Sequence, residues 1–428
     1  MAYRKDGRTV AYKDLGMVSS VLARYLSEHR PGKAGIGHVR YSTHGGTKLE
    51  NAQPLVVTSN KGEIALAHNG NLSNSTLVKD RLFGEGSIFQ TSSDTELFLH
   101  LISRSRADGF YAALVDALRQ VEGAYSMVML HDESLVAVRD PMGFRPLYIG
   151  QRDDITVVAS ETCALDILKV SDRREVEPGE VIIVDDGGLH SSFPLKVGRR
   201  RKCVFELIYF ARPDSEVFGT GVHSSRKRMG AALAAADNVD VDVVVPVPDS
   251  GNHAALGYAE ASGLPFEFGL TRNHYAGRSF ILPTTAEREL AVRMKLHPVR
   301  DVVEGKRIVL VDDSLVRGTT ARTLVDVLRQ SGAAEIHLRL SSPEIRWPCF
   351  FGIDIPTREE LISNSMSADE ISRAIGADSV MFLPIERLKA CLDLPDTYCF
   401  ACFSGTYPLQ VPLPEAGIET AEAVEVHR

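Results

Sequence analysis

The chain reads as two folds in series: an α+β first half of antiparallel sheets with helices against them, then an α/β second half built on a parallel sheet. Three observations predict this. Up to about residue 200, short β-type segments are interrupted by only two helical patterns. Beyond that the order becomes strand, loop, helix, repeated, the rhythm of a doubly wound parallel sheet. And 428 residues with a 44% apolar fraction can bury two or three separate cores.

In chain order, "KAGIGHVRYST", "GEIALAHNGNL", "AYSMVML", "ESLVAVRD", "DITVVAS" and "GEVIIVDD" are the β-type segments of the first half. "TELFLHLISRS" and "FYAALVDALRQV" carry helical periodicity and are expected to pack on the sheets. The basic run "KVGRRRKC" marks a boundary. After it, "VDVVVPVPDSGNHAALGYAEASG", "KRIVLVDDSLVRGTTARTLVDVLRQSG" and "EIHLRLSSPEI" are successive strand-first units. The last eighty or so residues add a short helical stretch, a C-x-x-C pair and a Pro-rich tail expected to be mobile. There is no internal repeat and no low-complexity tract.

Composition narrows the function classes. A formal net charge of -8 argues against a nucleic-acid partner. No apolar run approaches the ~18 residues of a membrane helix, and "MAYRKDGRTVAYKD" has no apolar core of a signal peptide. The cytoplasm is the expected compartment. There, six cysteines are better read as metal ligands, reactive thiols or core residues than as disulfides.

The most informative stretch is "KRIVLVDDSLVRGTT", residues 306–320. "RIVLV" is continuously apolar, as a strand buried on both faces must be. "TLVDVLRQSG" is a helix closed by Gly332. Asp312 and Asp313 fall at the carboxyl end of that strand, where open α/β sheets bind ligands. The Arg317–Thr320 turn, with Gly318 and the hydroxyls of Thr319 and Thr320, presents N–H groups at a helix N-terminus, a phosphate site. Carboxylates beside a bound phosphate would repel it unless they accept hydrogen bonds from vicinal sugar hydroxyls, with a divalent cation nearby. A ribose 5-phosphate fits those requirements. A solvated helix-capping turn accounts for each feature singly but not for their order.

That stretch resembles the phosphoribosyl pyrophosphate (PRPP) loop of type I phosphoribosyltransferases. With "GIGHVRYST", "ENAQP", "LAHNGNLSN", "IFQTSSDTE", "SETCALDI", "IYFARPDS", "PVPDSGN" and "GRSFI" standing in the same order, the chain is similar to the glutamine PRPP amidotransferase family from about residue 15 to about 408. The resemblance implies a class II, N-terminal-nucleophile glutaminase domain over 1–200, a type I phosphoribosyltransferase domain over 201–345 and a C-terminal segment over 346–428. Its reaction hydrolyses glutamine in the first domain and passes ammonia to the second, where ammonia displaces pyrophosphate from C1 of PRPP to give 5-phosphoribosylamine, the first step of purine synthesis. On this resemblance Ser250, Asp312 and Asp313 are magnesium ligands. Ser314, Arg317, Gly318, Thr319 and Thr320 bind PRPP, and Arg278, Arg293 and Lys295 close over the pyrophosphate. Arg40 clamps the glutamine α-carboxylate and Asp94 its α-amino group; Asn69 and Gly70 form the oxyanion hole.

Two departures and one addition follow. The family's nucleophile is a cysteine at position 1 of the mature chain. Here the first residues resemble a segment inside the family's domain, the opening "CG" strand and the "HRGQE"-type segment are missing, and no catalytic nucleophile is identified. The expectation is an inactive glutaminase half, less fully packed, explained by a misplaced start rather than a true loss. The addition is Cys203, Cys349, Cys399 and Cys402, standing where the iron–sulfur subgroup of the family has its ligands. Four thiolates suit a [4Fe–4S] cluster; residue chemistry alone would also suit tetrahedral zinc, and the resemblance favours iron. Cys163 and Cys391 are expected to be ordinary buried thiols. Family members are commonly homotetramers under purine-nucleotide feedback. The alternative function is a non-catalytic PRPP- or nucleotide-sensing paralogue, against which the pyrophosphate-side residues argue. A sugar-isomerising amidotransferase would lack residues 306–320.

Overall fold

The computed structural model describes residues 1–28, 32–40, 48–273 and 296–412. Arg278, Arg293, Lys295 and the Pro-rich tail lie outside the described residues.

In the first half, a six-stranded antiparallel sheet runs in the spatial order Gly188–Ser192, Val181–Asp185, Ser134–Arg139, Gly123–His131, Gly62–Leu72, Leu55–Ser59. Its central strands Gly123–His131 and Ser134–Arg139 are buried on both faces and so read as apolar runs rather than as half-exposed alternation. Ile64 and Leu66 face the helices Ser75–Gly84, Thr95–Arg104 and Gly109–Leu118, in a core with Val78, Leu97 and Leu114. Ala65 and Ala67 point the other way, onto Ala2 and Ile36. Those belong to a small sheet of Arg8–Ala11, Ala2–Lys5 and Gly35–Ile36. A second small sheet (Asp172–Glu175, Tyr148–Arg152, Ile155–Ala159) covers the same side through Ile149 against Ala137 and Ile182. Among the described residues of "KAGIGHVRYST", Gly35–Ile36 form a strand and His38–Arg40 are irregular.

In the second half the parallel sheet runs Val243–Pro246, Arg307–Asp312, Glu335–Leu340, Ser379–Phe382. Phe266 bridges in parallel to the outer side of Val244, so the chain order of the neighbours is 2-1-3-4-5. In that topology the strand order reverses between Val243–Pro246 and Arg307–Asp312, and the crevice at their carboxyl ends is the ligand position. Alternate residues enter two cores. Val243, Val245, Ile308 and Leu310 pack with Leu324 and Ile371; Val244, Val309 and Val311 pack with Ala255 and Tyr258. Each such valine or leucine contributes about 1.5–3 kcal/mol by leaving water. The last strand comes from beyond residue 345, so part of the C-terminal segment shares the layer of residues 243–340.

Candidate functional site

Strand Arg307–Asp312 delivers Asp312 and Asp313 into the crevice, and Ser341 and Ser342 N–H groups hold their carbonyls at 3.0 and 2.9 Å. Ser250, from the turn after the neighbouring strand, donates its hydroxyl to Asp312 Oδ1 at 2.7 Å. Ser314 Oγ is hydrogen-bonded to Asp313 Oδ2. Burial, then the Asp313 charge, pushes the Asp312 carboxyl well above its ordinary range. Asp313 is pushed up by burial too, against hydrogen bonds from Ser314 and Ser250 and the nearby Arg226 charge. Two acids held against their own ionisation, with a hydroxyl beside them, form a set of hard oxygen donors suited to a divalent cation or sugar hydroxyls.

The Arg317–Thr320 turn leads into a helix. Gly318 takes φ 77°, and a Cβ there would lie 2.9 Å from Ile362 Cδ1, so both conformation and space call for glycine. It caps the helix Thr319–Gln330, with Thr319 and Thr320 exposed at its first turn. Arg317 is turned aside: its guanidinium holds Glu360 at 2.7–2.9 Å. Arg226, 4% exposed, donates to the carbonyls of Leu207 and Ala211. Nothing in "SSRKRMG" announces it, because its role depends on a helix packed from another part of the chain.

On the glutamine side, Asn69 and Gly70 lie in strand Gly62–Leu72, and Asp94 starts the helix Thr95–Arg104. Asp94 Oδ2 accepts the Leu72 N–H at 2.8 Å, and its Oδ1 is 3.7 Å from His68 Nδ1. "ENAQP" explains itself here. Asn51 exchanges hydrogen bonds with Ser92 at 2.8 and 3.0 Å. Gln53 accepts the His68 N–H at 2.6 Å and donates to Thr95 Oγ1 at 3.1 Å. Side-chain amides thus tie "ENAQP", "HNG" and "SSDTE" into one cluster. Arg40 is half-buried at the end of the described loop that begins at Gly32. His38, in that loop, is missed by spacing alone: burial and then the His68 charge push its pKa down to about 4.

The cysteines converge from three segments. Cys203 and Cys399 are register partners in a short parallel pairing of Lys202–Cys203 with Tyr398–Cys399. Cys349 and Cys402 join them around one apolar cavity, which Phe144, Phe351 and Tyr407 also line. The Phe351 N–H donates to Cys349 Sγ at 3.3 Å. Burial pushes all four thiols up, Cys399 to about 12. Among the described residues no three His, Cys, Asp or Glu side chains converge as a single-ion site requires. Cys163 and Cys391 are free and buried elsewhere.

The cysteine loop also touches the glutamine side. Asn71 Nδ2 donates to the Phe350 carbonyl at 2.9 Å. Gly352, at φ 99°, sits so close to Gly70 that a Cβ would lie 2.9 Å from Gly70 Cα.

Comparison with known proteins agrees with this geometry. A family model described as a glutamine amidotransferase domain matches residues 38–166. The amidophosphoribosyltransferase of Bacillus subtilis is 49% identical over 414 residues, covering 95% of this chain and 87% of that protein. That of Methanocaldococcus jannaschii is 45% identical over 95% of this chain and 90% of its own. Among solved structures, the B. subtilis glutamine PRPP amidotransferase complexed with ADP and GMP superposes with a TM-score of 0.88 at 47% identity, covering 96% of this chain and 90% of that one. With this likeness spanning both halves, the chain belongs to the amidophosphoribosyltransferase family, the glutamine-dependent transferases of the first step of purine synthesis.

Proposed function

We propose that the chain forms 5-phosphoribosylamine at the crevice between strands Val243–Pro246 and Arg307–Asp312. The observation that carries this is the Ser250–Asp312 hydrogen bond at 2.7 Å, which joins the two strand-end turns at the point where the strand order reverses. The 5-phosphate is assigned to the Gly318–Thr320 turn, where helix N–H groups and two hydroxyls meet it. Asp312 and Asp313 take the ribose hydroxyls. Ser250, Asp312 and Asp313 are the oxygen donors that would hold magnesium, which neutralises charge on the departing pyrophosphate when bound. The residues then need to position and to exclude water rather than to move protons. Arg278, Arg293 and Lys295 are proposed to close over the pyrophosphate, and Arg317 to reach the phosphate on leaving Glu360.

Glutamine is proposed to lie between Arg40 and Asp94, which hold its carboxylate and ammonium, with Asn69 and Gly70 beside its side-chain amide; no nucleophile is assigned among these residues. The four thiols fit a [4Fe–4S] cluster: they share one apolar cavity, and a backbone N–H already points at one sulfur. Such a cluster would supply a cross-link between three segments. Purine nucleotides are proposed as inhibitors, since a solved relative carries ADP and GMP and another is described as an allosteric regulatory enzyme of purine biosynthesis. A homotetramer and a cytoplasmic location are proposed with them; no helix among the described residues is long and apolar enough to cross a membrane.

Purified protein given PRPP, magnesium and ammonia at raised pH should release pyrophosphate and form phosphoribosylamine, with little release when ammonia is withheld. Binding of PRPP with no ammonia-dependent release would replace this reading with the sensing paralogue.

A further inference from the structure

Arg145 is fully buried, and its Nε, Nη1 and Nη2 all lack an aligned hydrogen bond. Leaving a buried donor unpaired is costly, and more so when it is charged. Its anion is Glu206, 1% exposed, with Oε1 3.0 Å from Nη2 but itself without a hydrogen-bond partner. The Phe210 ring lies 4.5 Å from the guanidinium carbon. So the pair is desolvated, in contact, and far from satisfied.

The chain neighbours of this pair line the cysteine pocket. Phe144, just before Arg145, lines the cavity, and its carbonyl accepts the Cys203 N–H at 2.9 Å. Glu206 directly follows Phe205, another lining residue.

We propose that Arg145 is the counter-cation of the group bound by Cys203, Cys349, Cys399 and Cys402, a positioning residue that offers its unpartnered N–H groups to anionic sulfur. It rests on the cluster reading above. Four thiolates around an oxidised [4Fe–4S] core make a dianion. Placed in an apolar cavity, a dianion is held far better beside a guanidinium than beside a carboxylate alone. Glu206 moderates that cation. Removing the two charges should therefore act in opposite directions, which a purely structural ion pair would not do.

The test is iron release to a ferrous chelator from full-length protein purified without oxygen. The parent should carry about four irons per chain. Arg145→Met should release iron at least about tenfold faster, Arg145→Lys should restore most of the retention, and Glu206→Gln should release iron no faster than the parent. Equal acceleration in Arg145→Met and Glu206→Gln, with equally lowered melting temperatures, would show a structural pair and overturn the proposal while leaving the cluster standing. If Arg145→Met fails to fold, Glu206→Gln decides alone: faster release than the parent overturns it. A parent chain that binds no iron when made or reconstituted anaerobically removes the cluster reading, and this one with it.

Discussion

The carboxylate crevice and the cysteine pocket both bury groups that, on the proposed function, work as anions, yet they are assembled in opposite ways. Asp312, Asp313, Gly318, Thr319 and Thr320 come from one strand–turn–helix, and Ser250 is brought to them from the neighbouring strand-end turn. Its framework is local: Val309, Val311 and Val325 are wholly buried, and Arg322 N bonds the Gly318 carbonyl at 2.9 Å. The pocket takes Cys203 from the connection between the halves, Cys349 from a loop, and Cys399 and Cys402 from the end of the described chain. Closing such separations has an entropic cost that grows with loop length. A locally built site can keep its shape while its ligand comes and goes; a site built from afar gains much of its order from what it binds.

The largest expected effect breaks the pocket. Cys399→Ser should lower iron from about four per chain to less than about one, and should expose the segment around 395–412 to protease before the rest of the chain unfolds. Retained iron, or a protease pattern equal to the parent's, would mean that the pocket orders itself as the crevice does.

The crevice should respond in the reverse sense. Asp312→Asn should weaken PRPP binding by at least about tenfold, or about 1.4 kcal/mol, as measured by calorimetry with magnesium present. The melting temperature of the ligand-free protein should hold or rise. The sign follows from the raised carboxyl pKa values: protonation favours the folded state, so this contribution is present below the unfolded value of about 3.9 and is lost as pH rises through the folded one. Burial opposes a charge on Asp312 in the folded chain, and the amide removes that opposition. A lower melting temperature with unchanged PRPP affinity would make the pair a helix-capping device.

The same contrast governs what was legible in the chain itself. The crevice could be read from fifteen consecutive letters because its physics is local: a doubly buried strand, two acids at its end, a left-handed glycine, a helix. The pocket showed only its C-x-x-C half; Cys203 and Cys349 needed the family resemblance, since no periodicity places Cys203 beside Cys399. Asp94 and Asn69 were named the same way, while Asn51, Gln53 and His38, which order that side, look like ordinary polar residues until the strands are laid together. Strand Ser379–Phe382 escaped notice because "SVMF" is too short to show a period, and the sheet rather than the local sequence makes it a strand.

The glutamine side offers an intermediate case, with segments from Gly32–Arg40, Asn51–Gln53, His68–Leu72 and Ser92–Glu96 gathered by amides rather than by a bound group. His38 should be its acid-sensitive point. Burial, then the charges of His68 and Arg40, pushes its pKa down to about 4, while a hydrogen bond to the His68 backbone opposes them. An unfolded histidine titrates near 6.5. Between those values the unfolded chain takes up a proton that the folded chain refuses, so the stabilisation is complete above about 6.5 and is lost as pH falls toward 4, by up to about 3 kcal/mol. His38→Gln should lose about 1 kcal/mol at neutral pH with the hydrogen bond, yet show a flatter fall in Tm between about pH 6.5 and 4.5. The two Tm curves should converge on acidification. If they stay parallel, His38 is no barrier to protonation, and the loop reaching Arg40 is held as locally as the crevice.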